Sequence, residues 1–264
     1  MATVVVVGLG EVGRPLLELI RRSGARAVGI DVRPVELPEP GATDVLHICF
    51  PFEVADFVGE AVRYVDLLQP RLTIVDSTVA VGTTRAIHDR TGAAIVHSPV
   101  RGKHVRMRAE LQSYVKFVGG VDGPSAQAAA DHFAALGVQT RTVASPEATE
   151  LAKLTETTYF GLLIAWAQEV ERYCEQADVD YDEVIAFYAE IGFLPPVQYF
   201  PGVIGGHCVL PNIEILGRLA GESPVLDAIR SSNAQKVDHD ERLGRAPADR
   251  GDSVAPPDAV AAAR

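Results

Sequence analysis

The fold of this chain is decided near its N-terminus by the stretch Thr3-Val4-Val5-Val6-Val7-Gly8-Leu9-Gly10-Glu11-Val12-Gly13. The apolar run is typical of a buried parallel strand, and residues 11–22 have the pattern of a helix. A second buried strand over residues 27–30 ends at Asp31, 18 residues after Gly13. In this setting the Gly-x-Gly-x-x-Gly turn predicts a dinucleotide-binding unit rather than a turn that only packs a helix on a strand.

The glycine turn is predicted to hold NAD. Glycines let a pyrophosphate approach the N-terminus of the following helix, whose free N–H groups and dipole favour anions. Asp31 would accept hydrogen bonds from the ribose hydroxyls and repel a 2′-phosphate, which favours NAD over NADP, whereas nearby Arg33 would suit NADP. The predicted contacts from this unit are Gly8, Gly10, Glu11, Val12, Gly13, Asp31 and Arg33.

Composition restricts the possible function classes. The chain has 264 residues, enough for one large or two ordinary domains, and a formal net charge of −11, which argues against a general binder of nucleic acids or anionic membranes. No apolar run approaches the roughly 18 residues of a membrane span. Cys49, Cys174 and Cys208 are far apart and include no CxxC pair, so we expect a reduced, cytoplasmic protein with neither a disulfide framework nor a metal site.

Strand and helix patterns alternate along the first half of the chain, which predicts an α/β fold with a Rossmann-type, doubly wound parallel sheet. Further strands are predicted over residues 45–50, 72–75, 93–96, 114–118 and 138–143, and helices near residues 54–68, 83–89 and 124–136.

The second part is predicted to be a smaller, all-helical domain. Ser145-Pro146-Glu147 is a helix start, and the apolar pattern then continues to about residue 177. Shorter helices are expected at residues 181–191, 211–220 and 224–236. The predicted division is a cofactor domain over residues 1–144, a helical dimerisation and substrate domain over 145–238, and a disordered tail over 239–264.

Five segments together resemble the UDP-glucose/GDP-mannose 6-dehydrogenase family. They are the glycine turn, His47-Ile48-Cys49-Phe50-Pro51, Asp76-Ser77-Thr78-Val79-Ala80-Val81-Gly82-Thr83-Thr84, Glu150-Leu151-Ala152-Lys153, and Gly205-Gly206-His207-Cys208. Residues 223–233 resemble the last helix before the family's third domain. Pro51, Ser77 and Thr78, which lie in these segments, join the predicted cofactor contacts.

The resemblance implies that NAD oxidises a primary alcohol twice, to a carboxylate. Cys208 would capture the intermediate aldehyde, Lys153 would stabilise the oxyanion, and Thr78 would position a catalytic water. Gly205 and His207 beside the thiol are predicted to contact the substrate, with backbone packing as the alternative for His207.

The chain departs from the family pattern at several positions. Val100 and His104 stand where the family has glutamates, Thr157 replaces an asparagine, and Asn212 replaces an aspartate. The chain also stops where a nucleotide-binding C-terminal domain would begin, and the short stretch between Asp31 and Asp44 leaves out a usual helix and strand. We therefore expect the cofactor and thiol chemistry to be kept and substrate recognition, which would include Thr157 and Asn212, to be altered.

A basic segment follows the strand at residues 93–96. Arg101, Lys103, His104 and Arg106 stand out in an acidic chain and are predicted to bind an anionic or phosphorylated substrate, with His104 as a candidate general base. The alternative is a solvated loop.

Three functions remain open from the sequence. The first is oxidation of a primary alcohol on a sugar, nucleotide or phosphorylated polyol through Cys208. The second is a two-electron dehydrogenase that resembles the β-hydroxyacid dehydrogenases, with Lys153 as acid and base. The third is a non-catalytic NAD-binding relative. In each case we expect a homodimer formed through the long helix by Tyr159, Leu162, Leu163, Trp166 and Val170.

Overall fold

The computed structural model describes residues 3–31, 37–101, 107–190, 201–206 and 208–245. Five predicted site residues lie outside these ranges: Arg33, Lys103, His104, Arg106 and His207. The chain divides into two compact units, Met1–Lys153 and Leu154–Arg264. The sequence had placed this division earlier, at residue 144. Most of the predicted tail, residues 246–264, is not described.

The first unit contains a seven-stranded sheet in the order β2-β1-β3-β4-β5-β6-β7. Its strands are β1 (Thr3–Val7), β2 (Arg26–Ile30), β3 (Val45–Ile48), β4 (Leu72–Val75), β5 (Ile95–His97), β6 (Lys116–Gly120) and β7 (Thr140–Val143). Strand β1 lies between β2 and β3, so the order of the chain reverses there. Ligands of doubly wound sheets bind at the carboxyl ends of the strands at such a point.

Helices cover both faces of the sheet. They are α1 (Gly13–Arg22), α2 (Phe57–Leu68), α3 (Thr83–Thr91), α4 (Met107–Ser113) and α5 (Gly123–Ala135). Side chains of a strand alternate between faces. Val4 and Val6 accordingly pack with residues of α1, α4 and α5, while Val5 and Val7 pack with α2 and α3. The predicted Rossmann-type fold is confirmed.

Strand β6 differs from the prediction because it runs antiparallel to β5, with Val96 opposite Gly120. The other five neighbouring pairs are parallel. A parallel neighbour needs a crossover that returns the chain to the start of the previous strand, whereas an antiparallel one does not. The hydropathy pattern that predicted β6 carries no information on its direction. Helix α4 was also missed.

A buried ionic network inside the sheet was not predicted from the sequence. Asp76 accepts hydrogen bonds from Lys116 Nζ at 2.9 Å and, through its other oxygen, from His47 Nδ1 at 2.7 Å. Lys116 also donates to the Ser98 carbonyl at 2.6 Å, and His47 Nε2 lies 3.0 Å from His132 Nε2. Burial raises the pKa of Asp76, but Lys116 and His47 outweigh it and hold the pKa below its usual value. The carboxylate therefore joins β3, β4 and β6.

Cys49 lies at the edge of this network, with its Sγ 3.9 Å from Asp76 Oδ2. Burial, reinforced by the negative charge of Asp76, raises the pKa of the Cys49 thiol well above its usual value. This environment is that of a packing residue rather than a nucleophile.

The second unit consists of helices. Helix α6 (Pro146–Ala177) begins in the first unit and continues into the second, where it is followed by α7 (Tyr181–Ala189), α8 (Val209–Ala220) and α9 (Pro224–Arg242). Helix α9 ends six residues beyond its predicted end at residue 236. Among the described residues, no helix combines the length and hydropathy needed to cross a membrane.

One predicted interface residue is in fact part of the core of the second unit. Val170 is only 3% exposed and packs with Cys174 and Ile185, between α6 and α7. Tyr159, Leu162 and Trp166 are exposed, as the prediction requires.

Candidate cofactor and thiol sites

The three glycines of the turn have three different surroundings. Gly8 has a positive φ of 89°, and a Cβ there would lie 2.6 Å from the backbone nitrogen of Phe50. A Cβ at Gly13 would collide with the Gly8 carbonyl oxygen, so this glycine lets α1 pack on β1. A Cβ at Gly10 would have no neighbour within 4 Å. Gly10 therefore leaves open space in which a ligand could approach the backbone.

The N-terminus of α1 fits an anion. Its N-cap residue, Val12, makes no side-chain hydrogen bond to the helix, and the first turn has no acidic residue. Free N–H groups at a helix N-terminus bind phosphates. The residues present thus fit the pyrophosphate of a dinucleotide, as the sequence predicted. Glu11 is exposed beside this turn.

Asp31 lies next to the glycine turn. The N–H of Gly8 donates to the carbonyl of Ile30 at 2.8 Å, which joins the turn to the end of β2. Asp31 follows at once and is exposed. An exposed carboxylate at this point is in the position expected for a contact to ribose hydroxyls.

The carboxyl ends of β3 and β4 are fastened together by Ser77. Its hydroxyl is buried and donates to the carbonyl of Phe50 at 2.7 Å. Pro51 is exposed and Thr78 is half-buried at the same edge of the sheet. Because the Ser77 hydroxyl is used in this way, Pro51 and Thr78 are the better candidates for contacts to a ligand.

His97 fastens the segment that carries Thr78. Its Nε2 lies 3.1 Å from the carbonyl oxygen of Ser77, and its Nδ1 lies 2.7 Å from the hydroxyl of Thr149. A carbonyl can only accept, so Nε2 carries the proton and Nδ1 accepts from Thr149. Burial lowers the pKa of His97 to about 3, and the positive charges of Lys116 and Lys153 contribute. The ring is therefore neutral at physiological pH.

Glu150 provides a second attachment for this segment. Its buried carboxylate accepts hydrogen bonds from the N–H groups of Gly82 at 2.6 Å and Thr84 at 2.9 Å. Helix α3 has Gly82 as its N-cap and no cap from its own side chains, so Glu150 acts as the cap from a distance. Lys153 is half-buried one turn further along α6. His97 and Glu150 thus attach the segment with Thr78 to the turn with Lys153.

Neither His97 nor Glu150 was predicted as a site residue. The spacing of Glu150 and Lys153 was a usable signal, since residues three apart share a face of a helix. No comparable local signal marks His97, because its partners are distant in the sequence.

Cys208 lies in the second unit as the N-cap residue of α8 and is exposed. Gly205 and Gly206 before it are also exposed, and Gly206 has a positive φ of 73°. Val209, directly after the thiol, is only 3% exposed. The thiol is therefore accessible at the N-terminus of a helix that is buried along one side.

Thr157 and Asn212, the two departures from the family pattern near the thiol, are in contact. Asn212 Nδ2 donates to Thr157 Oγ1 at 3.0 Å, and both side chains are buried. This bond joins the first turn of α8 to α6. Their predicted contact with the substrate stays a prediction.

Arg101 is the described member of the predicted basic segment. It is half-buried, with its guanidinium carbon 5.7 Å from the ring centroid of Tyr114 and 5.8 Å from that of Phe117. These rings fix the position of one cation beyond the end of β5.

Comparisons with known proteins agree with the sequence motifs. Residues 147–235 match the model described as UDP-glucose/GDP-mannose dehydrogenase family, central domain, which confirms the resemblance to that family. The chain is 24% identical over 255 residues to UDP-N-acetyl-D-mannosamine dehydrogenase of Methanococcus vannielii, covering 77% of this chain and 58% of that protein.

A second relative and a solved structure extend the comparison. NDP-N-acetyl-D-galactosaminuronic acid dehydrogenase of Ralstonia nicotianae is 23% identical over 265 residues, with 78% of this chain and 62% of that protein covered. The chain therefore spans about three-fifths of the length of these curated relatives. UDP-D-ManNAc dehydrogenase of Pyrococcus horikoshii has the same fold, with a TM-score of 0.79, 22% identity, and coverage of 91% of this chain and 70% of that one.

The state of His97 predicts a loss of stability in acid. The unfolded chain binds a proton at this ring near pH 6.5, whereas the folded chain does so only at about pH 3. The free energy of unfolding should therefore decrease as the pH is lowered through this interval. His97 alone should account for a decrease of about 2 kcal/mol between pH 7 and pH 5. Urea unfolding at the two pH values measures the difference.

Two variants isolate this contribution. His97→Gln should lose most of the 2 kcal/mol because it cannot titrate, whereas Thr149→Val removes the hydroxyl partner but keeps the titrating ring. Thr149→Val should therefore keep the dependence on pH of the original chain. The same dependence in His97→Gln would show that the buried neutral state of His97 is wrong.

Proposed function

We propose that this chain is an NAD-dependent dehydrogenase that oxidises a primary alcohol of a nucleotide sugar, with Cys208 as a covalent nucleophile. The observation that carries the proposal is the glycine turn, in which Gly8 and Gly13 are required by close packing while Gly10 faces open space at an uncapped helix N-terminus. Nucleotide sugars are the substrates named for the relatives in sequence.

The thiol would divide the oxidation into two steps. NAD, when bound, would supply one two-electron oxidation on the alcohol and a second on the sulfur adduct. Between these steps the Cys208 sulfur adds to the aldehyde carbon, and the thiol proton passes to the aldehyde oxygen to give a thiohemiacetal. After the second oxidation, water attacks the thioester carbon, and the carboxylic acid and the free thiol are released.

The position of Cys208 supports this role. The N–H groups and dipole at the start of α8 favour negative charge on the sulfur. Gly205 and Gly206 carry no side chains that would keep a substrate from the backbone. Cys49, Cys174 and Cys208 form no disulfide, and a reducing, cytoplasmic location would keep these thiols reduced.

Lys153 and Thr78 would complete the chemistry. Lys153 would stabilise the negative oxygen of the adduct, and Thr78 would orient the water that releases the acid. His97 and Glu150 support these roles because they hold both residues on one part of the first unit. Arg101 would attract an anionic group of the substrate, and His104 remains our candidate for the general base.

The glycine turn predicts a contrast between two alanine variants. Gly10→Ala should leave the melting temperature nearly unchanged, because its methyl group meets no protein atom, but should weaken NAD binding at least tenfold by blocking the pyrophosphate. Gly13→Ala should lower the melting temperature, because its methyl group collides with the Gly8 carbonyl. Calorimetric titration and thermal unfolding measure the two effects. Unchanged NAD affinity in Gly10→Ala would exclude this cofactor site.

The number of NADH molecules formed tests the role of Cys208. With UDP-N-acetyl-D-mannosamine as the first compound assayed, each substrate molecule consumed should yield two NADH and a carboxylate. Cys208→Ser should bind NAD normally and form no acid. One NADH per substrate, with Cys208→Ser fully active, would replace this mechanism by a two-electron dehydrogenase that uses Lys153 as acid and base.

We further propose that α6 forms a homodimer interface. Tyr159, Leu162, Trp166 and Tyr173 are 52%, 39%, 52% and 54% exposed, and their spacing places them along one side of the helix. Light scattering at micromolar concentration should give twice the mass of the chain, and Trp166→Glu should give a monomer with an unchanged far-ultraviolet circular dichroism spectrum. A monomeric original chain would refute the interface.

A further inference from the structure

The segment that leads to Cys208 is held by one side chain of α9. Asn233 Oδ1 accepts a hydrogen bond from the Ile204 N–H at 2.7 Å, and Asn233 Nδ2 donates to the Ile204 carbonyl at 3.2 Å. Asn233 is only 7% exposed and Ile204 only 4%. The amide thus binds both polar groups of one residue, in the way that a neighbouring strand would.

Gln168 of α6 fixes the same segment from a second direction. Its Nε2 donates to the Gly202 carbonyl at 2.7 Å and lies 3.3 Å from Asn233 Oδ1. Its Oε1 accepts from the Ser232 hydroxyl at 3.0 Å. Each amide group therefore determines which way the other points, and both are buried.

The residues after the thiol are fixed as well. Val209 and Ile213 are 3% and 0% exposed, and a Cβ on Gly161 of α6 would lie 2.6 Å from Val209 Cγ1. Gly161 therefore lets α8 pack closely on α6. Cys208 stands between this anchored helix and the anchored Ile204, and the exposed glycines Gly205 and Gly206 lie in the intervening span.

We propose that Asn233 is a positioning residue for Cys208. Asn233 fixes both backbone groups of Ile204 and so fixes the start of the span from Ile204 to Cys208. It thereby limits the conformations that the two glycines in this span would otherwise allow. The catalytic consequence rests on the function proposed above, whereas the effect on the segment itself does not.

Two variants separate positioning from general stability. Asn233→Ala removes both bonds to Ile204. Lys236→Met is the matched control, because it removes a buried contact between α9 and α6 one turn after Asn233. Lys236 Nζ pairs with Glu171 of α6 at 2.7 Å and with Asp240 of α9 at 3.1 Å. Both variants should lower the melting temperature, but only the first should release the segment before the thiol.

Hydrogen–deuterium exchange of the peptide that covers residues 201–208 measures this release without requiring turnover. We expect exchange there to be at least tenfold faster in Asn233→Ala than in Lys236→Met. With UDP-N-acetyl-D-mannosamine and NAD, we also expect kcat to fall at least tenfold in Asn233→Ala only, with the affinity for NAD unchanged in both.

The outcomes are distinct for the two proposals. Exchange rates within twofold of each other in the two variants would overturn the positioning role. Faster exchange in Asn233→Ala with unchanged kcat would support the attachment of the segment and count against Cys208 as the nucleophile.

If Asn233→Ala does not fold, Asn233→Asp, which keeps the acceptor for the Ile204 N–H and loses the donor, should give an intermediate exchange rate. An exchange rate equal to that of the original chain would then refute the role.

Discussion

The candidate site of the first unit depends on the Glu150 carboxylate. This buried group accepts hydrogen bonds from two backbone N–H groups at the start of α3. The two donor residues precede Glu150 in the chain by 68 and 66 positions. Burial raises the pKa of Glu150, while its hydrogen bonds to Thr84 and Gly82 oppose that effect. A carboxylate at this place both completes the N-terminus of a helix and fixes the turn of α6 that bears Lys153. The segment with Thr78 is thereby held at its far end, and His97 holds its near end.

Local sequence patterns predicted those secondary-structure elements that depend on interactions between residues close together in the chain. The glycine turn, the buried strands and the long helix follow from periodicity and turn chemistry within short windows. The antiparallel direction of β6 and the network around Asp76 could not be predicted in this way. Lys116 and Asp76 are 40 residues apart, and a buried lysine has no signature that distinguishes it from a solvated one. Val170 was misplaced because apolar residues on several sides of α6 gave no unique exposed face.

The sequence predicted the candidate site residues themselves but not the residues that hold their segments in place. Cys208, Lys153 and Thr78 came from motifs, whereas Asn233, Gln168 and His97 act through backbone groups that no motif displays. Thr157 and Asn212 are instructive because the sequence presents them as two separate departures from a family pattern. Their hydrogen bond shows that they form one contact between α6 and α8.

A trapped adduct tests the proposed covalent role of Cys208 most directly. The Lys153→Ala variant, slowed by loss of the oxyanion contact, should be supplied with NAD and UDP-N-acetyl-D-mannosamine, quenched in acid, digested and analysed by mass spectrometry. We expect a sugar-nucleotide acyl group on the peptide that contains Cys208, with the peptides of Cys49 and Cys174 unmodified. NADH formation by this variant while Cys208 remains unmodified at every time sampled would contradict a covalent role of Cys208.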